Sequence, residues 1–157
     1  DRIAQLAERY RYMERCVVLG RGYNYATAFE WSLKLKELTY VVAEPYSSAD
    51  FQHGPIAIVE QGFPIMAVAV SGQIYANSLE MLRHLRSGPQ AELVVISDQL
   101  EALEIASTPL PLPVGMPEWL TPVPAIIPAQ LFTHALTRAR GLSTETPRSI
   151  RKVTETK

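Results

Sequence analysis

Glu30, Lys34 and Glu37 stand at i, i+4 and i+7 in a run of helix-forming residues, a spacing that stacks them along one helical face. A carboxylate, an amine and a second carboxylate in one file can form a solvated ladder of ion pairs. Beside a closed site the same groups can move protons. Spacing alone leaves both readings open. Further on, His53 is followed by Gly54-Pro55, which fixes the backbone and aims the imidazole in one direction; a loop histidine bonded to backbone is the other reading. Lysine is scarce: the eleven arginines face only Lys34, Lys36, Lys152 and Lys157. Only a lysine can lose its proton and attack a carbonyl, so a lysine on the candidate face hints at amine chemistry.

Helix, loop and strand have to position these groups. The expected organising helix covers residues 25–40, with Ala26, Phe29 and Leu33 marking its packing side. Before it, residues 2–14 read as an amphipathic helix and 16–20 as a buried strand that ends in the tight turn Gly20-Arg21-Gly22. Strand, glycine turn and helix can present backbone N–H groups to an anion, although a lone Gly-x-Gly is equally a plain turn. Arg21 either reaches a ligand or lies on the surface.

Residues 40–44, 64–70 and 92–97 read as further strands, with helices at 74–86 and 100–106 between and after them. Residues 45–50 read as a loop in which Ser48 or Asp50 caps a short helix. Residues 109–113 fit an edge strand, where proline is tolerated. The last helix is expected over 125–140 with Ile127, Leu131, Ala135 and Leu136 inward. His84 and His134 read as surface or packed side chains. The alternation predicts an α/β fold, a three-layer α/β/α sandwich with a flavodoxin-like parallel sheet of about five strands. The polar stretch 141–157 reads as a frayed tail.

The chain has 157 residues and a formal net charge of −1. It is long enough for one domain with a substantial core, and its charge balance suggests neither a nucleic-acid partner nor a membrane surface. No stretch has the length of an apolar span, no signal peptide is visible, and the single Cys16 reads as a buried reduced thiol, so a cytoplasmic protein is expected. The three histidines and one cysteine are too scattered to suggest a metal site, and no cofactor motif appears. A start at Asp1 inside a helical pattern reads as a piece of something longer.

Four segments together resemble the sugar-isomerase (SIS) domain family. They are Gly20-Arg21-Gly22, Glu30-x-x-x-Lys34-x-x-Glu37, Glu44-Pro45-Tyr46 through Phe51-x-His53-Gly54-Pro55, and Pro147-Arg148-x-Ile150-x-Lys152. The combination is similar to the second SIS domain of glutamine–fructose-6-phosphate aminotransferases. That resemblance implies conversion of fructose 6-phosphate and ammonia into glucosamine 6-phosphate. It implies Glu37 as the group moving a proton between C1 and C2 of the open-chain sugar, and Lys152 as the amine forming an imine with the carbonyl. His53 would act in ring opening across a homodimer interface. Glu30 and Lys34 match site residues before the base, and residues 141–157 would close over the site.

By the same resemblance, the phosphate cradle lies in a preceding SIS domain. The nearest equivalent here, Ser71-Gly72-Gln73-Ile74, lacks the fuller pattern. Arg21, Gly22 and Ser71 are nonetheless candidate substrate-binding residues, with the site expected at the carboxyl ends of the strands. Two alternatives stay open: a two-SIS-domain glucosamine-6-phosphate deaminase or fructosamine-phosphate deglycase, and a non-catalytic phosphosugar-binding regulatory module.

Overall fold

Three central runs, nearly all buried, and two edge runs fold as one parallel sheet. The computed structural model of the chain describes residues 2–148. Its strands are β1 (Arg15–Gly20), β2 (Val42–Ser47), β3 (Pro64–Val68), β4 (Glu92–Ser97) and β5 (Thr108–Pro111), in the order β2-β1-β3-β4-β5. This is the flavodoxin-like order with its switch point between β1 and β3. The helices are α1 (Arg2–Glu8), α2 (Tyr25–Lys34), α3 (Ser48–Phe51), α4 (Tyr75–Ser87), α5 (Leu100–Ile105) and α6 (Pro122–Ala139).

Successive strand residues point to opposite faces, so β1 feeds two cores. Cys16 and Val18 join α1, α2 and α6 on one side, while Val17 and Leu19 join α3, α4 and α5 on the other. The three-layer sandwich expected from the sequence is the one observed. Cys16 is 1% exposed, and burial pushes its thiol up to about 12. Because the thiolate is the reactive form, a disulfide reagent at pH 8 should leave Cys16 unmodified in the native protein and label it once urea unfolds the chain. Rapid native labelling would contradict this packing.

Several boundaries and faces differ from expectation. The first helix stops at Glu8, not at residue 14. Three-residue turns, including Tyr10 N–H to Ala7 O and Met13 N–H to Tyr10 O, swing Tyr10 and Met13 into the core. There the Tyr10 hydroxyl lies 2.8 Å from Thr108 Oγ1. The short helix α3 is capped by Ser47, whose hydroxyl accepts from Ala49 N–H, and not by Ser48 or Asp50.

The packing side of α2 is also corrected. Ala28, Trp31 and Leu35 are buried with Thr27 and Ser32, whereas Ala26, Phe29 and Leu33 face outward. Two polar residues fit inside because each has a local acceptor: Thr27 bonds Asn24 Oδ1 and Ser32 bonds the Ala43 carbonyl. In α6, Leu136 is buried and Ala135 packs at the edge of the core as expected, but Ile127 and Leu131 are half exposed. Ala125, Ala129 and Phe132 take the inward face, because small residues let the helix lie close to the sheet.

Candidate active site

The helix that carries the candidate base does not end as an ordinary α-helix. After Lys34 it widens into a π-helical turn, Leu35–Thr39, closed by Tyr40 at φ 59° and ψ 20°. π-Turns are frequent at functional sites. Within this one, Lys34 Nζ donates to Glu37 Oε2 at 2.8 Å and lies 3.7 Å from Glu30 Oε1. The ion-pair file expected from the spacing is formed. Its members are about a third exposed, at 31% for Lys34, 30% for Glu37 and 38% for Glu30, so a solute can reach them while they are partly withdrawn from water. Oε1 of Glu37 has no hydrogen-bond partner among the described residues, which leaves lone pairs able to accept a proton.

The hydrogen bond from Lys34 to Glu37 raises the Lys34 ammonium above its ordinary value; burial opposes this, and the charges of Glu37 and Glu30 add to it. An amine held in its charged form is a poor nucleophile. Lys34 therefore suits holding and polarising the carboxylates rather than attacking a carbonyl.

The site was expected at the carboxyl ends of the strands, and for these three residues the topology reverses that. Helix α2 runs back from the end of β1 to the start of β2, so Glu37 lies at the amino-terminal edge of the sheet. There Val42 N–H bonds the carbonyl of Glu14, just before β1. Helix α6 runs the same way: Thr121 near its start receives a bond from Asn24 beyond β1, and Arg140 near its end donates to the Met13 carbonyl. The chain after α6 consequently leaves from the edge that carries Glu37. Lys152 lies outside the described residues.

Arg21, Gly22, His53 and Ser71 lie at the opposite edge. Arg21 and His53 line one cleft of about 470 Å³ together with Gln52, Asn77, Glu80 and His84. Neither Glu30, Lys34 nor Glu37 lines it. Six-residue strands such as β1 span roughly 17–20 Å, so one copy does not bring His53 to Glu37. Asn77 and Glu80 were not singled out from the sequence and His84 read as a surface or packed side chain, yet the i, i+3, i+7 spacing of the three marks one face of α4.

The Gly20-Arg21-Gly22 turn is filled by its own chain. A Cβ on Gly20 would lie 2.2 Å from the Asn24 carbonyl oxygen, so the glycine serves a close backbone approach and the plain-turn reading holds there. Gly22 has φ +58° and opens the 3₁₀ turn Gly22–Asn24. Ser71, expected as a substrate ligand, has both its donors engaged within the chain. Its N–H donates to Asp98 Oδ1 at 2.7 Å and its hydroxyl bonds Asp98 Oδ2. Gln73 N–H donates to Glu118 Oε2 at 3.0 Å. Internal carboxylates already occupy the donors that would face an anion, and a phosphate beside two like charges is disfavoured.

Tyr40 is a residue the sequence did not flag. Its left-handed conformation is one that glycine adopts freely, and it costs another residue about 1–3 kcal/mol. Arg148 packs on its ring, with the guanidinium carbon 4.4 Å from the centroid, and Arg148 N–H donates to the Tyr40 hydroxyl at 2.8 Å. Nothing in the local sequence distinguishes such a tyrosine from one at an ordinary helix end. Among the described residues, no three His, Cys, Asp or Glu side chains gather as a metal set, and no helix is long and apolar enough to cross a membrane.

Known proteins share this sequence pattern and fold. The model of the SIS domain family matches residues 10–108. The chain belongs to the SIS domain family. It is 34% identical over 152 residues to a glutamine–fructose-6-phosphate aminotransferase [isomerizing] of Gloeobacter violaceus, a match that covers 96% of this chain and 25% of the relative. It is 30% identical to the same-named protein of Pyrococcus horikoshii, covering 97% and 25%. Among solved structures, the C-terminal domain of glucosamine-fructose-6-phosphate aminotransferase from Francisella tularensis superposes with a TM-score of 0.80 at 32% identity, over 90% of this chain and 40% of that one. This SIS chain spans about a quarter of the length of the curated relatives it matches.

Proposed function

We propose that this SIS domain is the catalytic C-terminal half of a cytoplasmic sugar-phosphate isomerase that aminates its substrate, of the fructose 6-phosphate to glucosamine 6-phosphate type. The observation that carries the reading is the Glu30–Lys34–Glu37 cluster where α2 passes into the π-turn, at the edge from which the chain continues towards Lys152. Sequence identity of 30–34% with the aminotransferases supports it.

In this mechanism the amine of Lys152 condenses with the sugar carbonyl and releases water, and the imine acidifies the neighbouring C–H bond. Glu37 takes a proton from C1 and returns it to C2. Lys34 stays charged and holds the carboxylate in place. Before that proton transfer ammonia adds to C2 of the imine and expels the amine of Lys152, which is regenerated, so the sugar keeps the ammonia nitrogen and over the whole cycle one water leaves. His53 assists ring opening in the site of a second copy, as imidazole can pass a proton near neutral pH; its place at the opposite edge from Glu37 supports that division. The filled donors of Ser71 and Gln73 support a phosphate site supplied by a preceding SIS domain.

The test is borohydride reduction of the full-length protein in the presence of fructose 6-phosphate. A sugar adduct is expected on the peptide containing Lys152. Turnover without any trapped adduct, or an adduct on Lys34, would overturn this assignment.

A further inference from the structure

Tyr40 combines three observations that the proposed mechanism does not use. It occupies a left-handed position where glycine would be unstrained. Its ring carries the Arg148 guanidinium at 4.4 Å, and its hydroxyl accepts the Arg148 backbone N–H at 2.8 Å. One side chain thus grips both the side chain and the main chain of a residue 108 positions away. A strained conformation persists where the surrounding structure makes use of it, and this grip is what the tyrosine provides that glycine lacks.

Its location gives the grip a consequence. Tyr40 is three residues from Glu37, and Lys152 is four residues beyond Arg148, a chain reach of at most about 14 Å. We propose that Tyr40 is a positioning residue: by holding Arg148 at the turn that bears Glu37, it fixes the point from which the chain continues towards Lys152. The proposal rests on the active-site reading above. Without the grip, Arg148 is no longer held at that turn, and bringing the amine to the base becomes an entropic cost of each turnover.

The test uses the full-length enzyme with the variants Tyr40→Phe, Tyr40→Ala, Arg148→Ala and the double alanine variant. Tyr40→Ala and Arg148→Ala should each lower kcat by about tenfold to a hundredfold while KM for fructose 6-phosphate changes by less than about twofold. The double variant should be no slower than the slower single, because both break one contact. Tyr40→Phe keeps the stacked guanidinium and should recover part of the loss. Tyr40→Gly separates the role from structure: it relieves the strained backbone, so it should match or exceed the thermal stability of Tyr40→Ala and remain as slow.

A second readout needs no activity. Trypsin cleavage after Arg148, followed by mass spectrometry, should accelerate severalfold in Tyr40→Ala. Unchanged cleavage, multiplicative losses in the double variant, or full activity in Tyr40→Gly would overturn the proposal. Faster cleavage together with an intact Glu37→Gln enzyme would instead refute the active-site reading and leave the grip standing.

Discussion

Glu37→Gln in the full-length enzyme should lower kcat by roughly 10²–10⁴-fold and leave KM for the sugar phosphate nearly unchanged. The substitution keeps the shape of the side chain and an oxygen that can accept from Lys34, so the 2.8 Å contact can persist as a neutral hydrogen bond. Glu30 remains as a charged partner for Lys34. What disappears is the ability to take a proton from carbon, which an amide lacks. The loss should therefore appear in the chemical step and not in binding. Solvent-hydrogen exchange into C1 or C2 should fall in parallel, and circular dichroism should be unaltered. Undiminished turnover would remove Glu37 as the base.

Trp31→Ala should be the most destabilising single truncation on α2. Trp31 is fully buried, meets Phe132 edge-to-face with centroids 6.1 Å apart, and through it joins Tyr10, whose ring is 5.4 Å from that of Phe132. Removing the indole empties the centre of the α1–α2–α6 core at a cost of about 3–5 kcal/mol. For a chain of this size the loss should lower Tm by roughly 10 °C. Trp31→Phe should cost much less, since the indole N–H has no hydrogen-bond partner among the described residues and only volume is lost. Equal Tm values for the two variants would show that the core does not depend on this side chain.

The centre of the sheet was legible in the sequence because β1, β3 and β4 are buried on both faces. Runs such as Cys16 to Leu19 and Leu93 to Ile96 contain no outward polar position to confuse them. The helices were less legible for a related reason. Hydropathy alone assigns Phe29, Leu33, Ile127 and Leu131 to the interior, yet Thr27, Ser32, Thr133 and Thr137 are buried instead. Thr133 and Thr137 satisfy their hydroxyls on carbonyls one turn back, so burying them leaves no donor unpaired.

The candidate site divides along the same line. The spacing of Glu30, Lys34 and Glu37 identified the file of charges, and the structure closes it. Spacing did not reveal the π-turn, which depends on a shift of backbone hydrogen bonds, nor the strain at Tyr40. It also did not reveal that Asp98 and Glu118 fill the donors of the loop around Ser71, because both carboxylates come from distant parts of the chain.

The placement of Glu37 and His53 at opposite edges of one sheet gives the domain a head and a foot. Any assembly that serves one reaction with both must set the head of one copy against the foot of another. A two-fold axis satisfies this twice at once, producing two identical seams and leaving no group unmatched. The same contact made without closure leaves an unmatched head at one end and an unmatched foot at the other, and copies can keep adding. Under the proposed mechanism, a two-fold arrangement is the smallest object in which every Glu37 and every His53 would be used.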